Sequence, residues 1–171
     1  PAAAGALILL AAATCPALGQ WNKYVIDDLG TLTGRSAVAT AAVDAGLIAG
    51  YSAISGNHSG EPWYDHACLF AGGEVIDLGV LGPDVPPDVF PKPYSRATGV
   101  NAWSEVVGTS VMYEPYMSGH GFLWLPTPRH GLPAGMNALP ECPDGEETPL
   151  AINDDGWIAG MCDRMGAMPR G

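Results

Sequence analysis

Positive charge is scarce in this chain: seven Lys and Arg stand against eighteen Asp and Glu, a formal net charge of −11. A surface of that sign repels polyanions, which excludes nucleic acid and acidic membrane surfaces as expected partners. Charge of either sign is sparse, at 15% of residues, while hydrophobic residues reach 47%, a balance that excludes a disordered chain. Beyond Gly19 no apolar run is long enough to span a bilayer. Histidine and cysteine number four each, with no HExxH, no HxH and no Cys/His cluster, so no metal site or cofactor is expected. Two acidic stretches, "CPDGEE" at 142–147 and "NDDGW" at 153–157, lack the alternating carboxylates of a calcium loop and read as hairpin turns.

Glycine and proline are plentiful, at 23 and 16 of 171 residues. Both are costly inside helices, so the composition favours many short strands joined by turns. The chain is long enough for one domain with a core of its own.

A phrase recurs. "VIDDLGTLTG" at 25–34 returns as "VIDLGVLGP" at 75–83. The first copy is followed by "SAVATAAVDAGLIAGYS" (36–52) and "HACLF" (66–70), the second by "YSRATGVNAWSEVVGTS" (94–110) and "HGFLW" (120–124). A third round opens with "TPLAINDDGWIAGMC" (148–162), and the matched glycines Gly50, Gly108 and Gly160 fall 58 and then 52 residues apart. Spacing of that order signals a repeat architecture. Within a round, runs of β-formers flank Asn/Asp/Gly turns, the signature of hairpins, and the His segment alternates as a strand. "GEVIDLGVL" (73–81) supplies a fourth strand. In the repeated phrase the aspartate is expected to bond the turn backbone, and the glycine to take a positive φ.

The expected fold is all-β: repeated four-stranded antiparallel units, stacked as incomplete β-propeller-like blades, with a β-solenoid as the alternative. The units run roughly 24–72, 73–130 and 131–171, the last incomplete, within a repeat domain of residues 20–171. Residues 1–19 read as a signal peptide entered part-way along: the stretch is uncharged and apolar, and Ala17-Leu18-Gly19 offers a small-residue exit before Gln20. The mature chain is therefore expected to be secreted or held at the cell surface.

In order, "V-I-D-L-G-x-L-G", "S-x-A-T-x-V-N", "E-V-V-G-x-S" and "H-G-F-L-W" resemble the HAF family of bacterial extracellular repeat proteins, named for a His-Ala-Phe signature. The resemblance covers about Tyr24 to Gly171. His66-Ala67-Cys68 and His120-Gly121-Phe122 each keep two of the three signature letters. It implies a secreted or surface repeat protein and assigns no chemistry.

His66 and His120 share one repeat position, which suits a blade-positioning hydrogen bond better than a metal or catalytic role. Cys68 occupies the place of Phe122 and reads as a small buried hydrophobe. Cys142 and Cys162 are a possible disulfide in an exported chain, worth about 3 kcal/mol if formed. Two polar segments, 52–65 and 110–121, lie at equivalent positions and are the expected binding loops. They carry Trp63, Tyr64, Tyr113 and Tyr116 beside Glu61, Asp65 and Glu114, a mixture suited to polysaccharide or to another surface protein. The expected function is a non-catalytic scaffold or binding module. The alternative is a fragment of a secreted propeller enzyme acting on polysaccharide, which would need a carboxylate pair such as Glu61 or Asp65 with Glu114.

Overall fold

The computed structural model describes residues 26–34, 36–54, 64–82, 92–114, 116–143 and 145–164. Ten strands and no helix occur among them. The first sheet holds β1 (Ala37–Val43), β2 (Leu47–Ile54), β3 (Tyr64–Ala71) and β4 (Glu74–Gly79), in that spatial order. The second repeats the order with β5 (Tyr94–Val100), β6 (Val106–Glu114), β7 (Tyr116–Leu125) and β8 (Gly135–Ala138). The third pairs β9 (Gly145–Ile152) with β10 (Ile158–Arg164). Every pairing is antiparallel, so the all-β class and the four-stranded antiparallel sheet stand as expected from the sequence. The segment 1–19 lies outside the described residues, among which no helix is long and apolar enough to cross a membrane.

Two expectations need adjustment. The sheets do not coincide with units beginning at 24, 73 and 131. Gly72 and Gly73, with φ of 61° and 86°, turn the chain tightly enough for β4 to pair with β3, so the second DLG strand closes the sheet before it. Sequence period fixes spacing, whereas hydrogen bonding decides membership. Residues 110–121, expected as a polar loop, are instead the ends of two strands. Val111 pairs with Gly119, Met112 with Ser118 and Tyr113 with Met117, because β-formers such as Val111, Tyr113 and Tyr116 carry the ladder as far as the Glu114–Tyr116 pair.

The first strand of each sheet bulges at the same place: between Ala39 and Ala41, between Ala97 and Gly99, and in β9 opposite the Ala159/Gly160 step. A bulge pushes the first strand's backbone towards its neighbour. A Cβ at Gly50, Gly108 or Gly160 would collide with the carbonyl oxygens of Val38, Arg96 and Thr148 respectively. The recurring glycine is thus a space requirement. The bulged residues Thr40 and Thr98 turn outward from their own sheets. The Thr40 hydroxyl lies 2.9 Å from Ala97 O, and the Thr98 hydroxyl 2.7 Å from Pro149 O, one bond from each sheet to the next.

Apolar residues fill both gaps. Ala49, Leu69 and Leu78 of the first sheet meet Ala97, Val106 and Phe122 of the second. Val107, Leu123 and Leu125, on the opposite face of the second sheet, meet Ile152 of the third with Ile158 beside it. Adjacent residues in a strand point to opposite faces, so Val106–Val107 and Phe122–Leu123 are the sequence trace of a sheet buried on both sides.

Candidate binding surface

The DLG phrase ends in the turn that its residues suggest. Gly30 N–H donates to Asp28 Oδ1 at 2.9 Å and Gly79 N–H to Asp77 Oδ1 at 2.8 Å, with φ of 77° and 74° at the two glycines. Past the turn, the Leu32 N–H donates to Ser52 Oγ and the Leu81 N–H to Ser110 Oγ, both at 2.9 Å. Each phrase therefore clasps the second strand of the sheet that follows. In the third round the corresponding residues are Cys142 and Cys162, which the structure joins as a disulfide with Cα atoms 5.9 Å apart. A covalent link stands where the other rounds have a hydrogen bond.

His66 Nδ1 hydrogen-bonds Asp77 Oδ1 at 3.0 Å, tying the third strand to the fourth. Burial would raise the Asp77 carboxyl pKa, but the bonds from His66 and Gly79, with the charge of His66, hold it below the usual carboxylate value. The second sheet has Ala138 at the aspartate's register position, and His120 faces Glu147 instead, at 3.8 Å. Cys68 is buried and free; burial first, then the Asp77 carboxylate, push its thiol up to about 12, so it packs as a small hydrophobe.

Ser52 stands opposite His66 in the β2–β3 register, and His66 bonds Asp77, so hydroxyl, imidazole and carboxylate follow in the order of a nucleophilic triad. The hydroxyl is otherwise engaged: it accepts from Leu32 N–H and lies 3.1 Å from its acceptor, Ser36 O. The arrangement is a structural strut.

Arg96 on β5 reaches back over the first sheet. Its guanidinium carbon lies 4.8 Å from the Tyr51 ring centroid and 5.7 Å from that of Tyr94. Its Nε and Nη2 both donate to Asp65 Oδ2, the former at 2.8 Å. Burial would lower its pKa, but bonding to the Asp65 carboxylate more than compensates, so the guanidinium is a fixed cation with half of its surface open. This is a cationic and aromatic patch at the junction of two sheets. Tyr64 begins β3 on the opposite face from Asp65, its ring 5.9 Å from that of His66.

Of the residues expected from sequence, Tyr64 lies with His66 on the face of β3 opposite Asp65, away from this patch. Tyr113 and Tyr116 lie at the facing ends of β6 and β7, at the corresponding end of the second sheet, where only their backbone positions are described. Trp63 and Glu61 lie outside the described residues. Asp65, one member of the postulated carboxylate pair, is spent on Arg96. Tyr51 lies on β2 in the first round and Tyr94 and Arg96 on β5 in the second, so no spacing in the sequence joins Tyr51 to the other two.

A second polar cluster sits at the opposite strand ends. Glu105, 1% exposed, accepts from Asn101 Nδ2 at 2.6 Å, bonds His130 Nε2 at 2.9 Å and pairs with Arg129 Nη1 at 3.1 Å. Arg129 covers the Trp103 ring at 4.9 Å, and the Trp103 indole donates to Asp154 O in the third sheet. Its buried carboxylate is paired on every side, as a lock between turns requires. Among the described residues no group of three His, Cys, Asp or Glu is placed to hold a metal ion. No protein-family model, curated protein or solved structure matches the chain.

Proposed function

We propose that the chain is a non-catalytic repeat protein of the HAF type, secreted or displayed at the cell surface, acting as a scaffold or binding module. The carrying observation is how its chemistry-bearing residues are used. The hydroxyls of Thr40, Ser52, Thr98 and Ser110 serve contacts between segments in corresponding places in successive rounds, and the carboxylates of Asp65 and Asp77 serve contacts to Arg96 and His66. Separate sheets stacked face to face, each engaging the next through the bulge of its first strand, favour propeller-like blades over a solenoid, in which coils pair edge to edge.

The surface left for a partner is Arg96 with Tyr51 and Tyr94. An exposed guanidinium among aromatic rings suits a hydroxyl-rich, flat-faced polymer such as an anionic polysaccharide. The test is retardation of the full chain on gels cast with uronic-acid and neutral polysaccharides, alongside a reducing-end assay. Retardation by the uronic-acid polymer, weakened about tenfold by Arg96→Ala, with no new reducing ends, is the expected result. Release of reducing ends would establish an enzyme instead.

A further inference from the structure

The third sheet ends, among the described residues, at β10, whose edge away from β9 pairs with no other strand. Beside that edge lies an open cavity of about 450 Å³, lined by Leu139, Ile158, Gly160 and Cys162 with Glu147 at its wall. Repeat registers translate this lining into the first interface. Ile158, Gly160 and Leu139 hold the places of Val106, Gly108 and Leu78. There, Val106 and Leu78 belong to the buried cluster around Phe122. Gly108 lies directly against that ring: a Cβ on it would come within 2.8 Å of Phe122 Cε1. In both complete sheets the free edge of the second strand is covered by the third strand, with Gly50 facing Cys68 and Gly108 facing Phe122. The cavity at Gly160 therefore has the walls of the pocket that Phe122 fills.

We propose that this groove is a docking seat for an extended polypeptide strand with the third-strand pattern His-x-Phe-Leu-Trp. The strand adds antiparallel to β10 and places its Phe over Gly160. Two kinds of contact act together: the backbone of β10 supplies a ladder, and the cavity takes alternate side chains, the mode of strand addition at a sheet edge. The phenyl ring enters between Leu139 and Ile158, while the neighbouring Leu faces outward with Met161, which is 50% exposed. The seat rests on repeat geometry and is independent of any polysaccharide at Arg96.

The experiment uses the full chain and a fluorescent peptide of residues 116–125, read by anisotropy. Saturable binding that weakens about tenfold or more when the peptide's Phe is replaced by Ala supports the seat. A scrambled peptide of the same composition should not saturate. Gly160→Val on the protein should also block binding. Because Gly160 adjoins the β9 bulge, Ile158→Glu serves as a second protein-side block, with circular dichroism confirming the fold of each variant. Three outcomes would overturn the proposal: no binding at millimolar peptide, binding indifferent to the Phe, or binding equal to that of the scrambled peptide.

Discussion

At the scale of single residues, the repeat shows which positions obey space and which obey charge. Gly108 obeys space. An added methyl would press on the Arg96 carbonyl and on Ala97 at once, and backbone does not yield. Gly108→Ala should destabilise by about 2–3 kcal/mol, as overpacking does, and urea midpoints against wild type would measure it. Ser104 runs the other way. It holds φ of 62° where the corresponding turn residues are Gly46 and Gly156, at 75° and 83°. A left-handed non-glycine residue costs about 1–2 kcal/mol, part of which glycine returns as unfolded-state entropy. Ser104→Gly should therefore stabilise by about 0.5–1 kcal/mol, visible as a raised Tm. Asp77 obeys charge. Its folded pKa is depressed, so its contribution is present above the unfolded value near ~3.9 and is lost as pH falls through the folded value. The side chain is well exposed, so screening limits the effect to about 0.5–1 kcal/mol. Wild type should lose that much more stability than Asp77→Asn between about pH 5 and the folded pKa, as denaturation curves at stepped pH would show.

At the scale of elements, the clasp between a DLG exit and the next second strand appears in three versions, and comparing them yields a prediction. Leu81 N lies 2.9 Å from Ser110 Oγ. Adding one N–Cα bond of about 1.46 Å and the reach of one serine side chain keeps the two Cα atoms within about 6.8 Å, the outer range of disulfides. Cys142 and Cys162, in the corresponding places, have Cα atoms 5.9 Å apart. The double variant Leu81→Cys/Ser110→Cys should thus cross-link on air oxidation. Mass spectrometry after alkylation should show four labels gained on reduction, against two for wild type; two labels in both would mean that the first interface lacks the geometry of the second. The same comparison shows what the sequence could tell. The glycine period, the hairpins and the His strand were legible because each is local. The partner of each clasp was not, since Leu81 and Ser110 are joined by packing across a sheet boundary that the repeated phrase straddles. Arg96 with Tyr51 was hidden for the same reason, and the expected loop at 110–121 failed because its polar residues alternate with β-formers that complete a ladder.

At the scale of the whole molecule, the middle sheet is buried on both faces while the third turns one face outward. Leu150 is 46% exposed and Trp157 77% exposed, with Met161 beside them. Apolar residues gathered on the outer faces of a stack are a surface for association. The position of Leu150 sharpens the point. It occupies the bulge site where Thr40 and Thr98 send a hydroxyl to the next sheet, so this face keeps the apolar stacking surface without the polar tether. A repeat stack is stabilised mainly by nearest-neighbour interfaces, and two outer faces brought together would bury surface of the kind that already joins the sheets. The chain should therefore self-associate, with the weight-average mass in sedimentation equilibrium rising with concentration. Leu150→Lys combined with Met161→Lys should lower that mass towards the monomer without changing the far-ultraviolet circular dichroism, because both side chains lie outside the two buried clusters. A monomer at every concentration in wild type would mean that this outer face is adequately solvated as it stands.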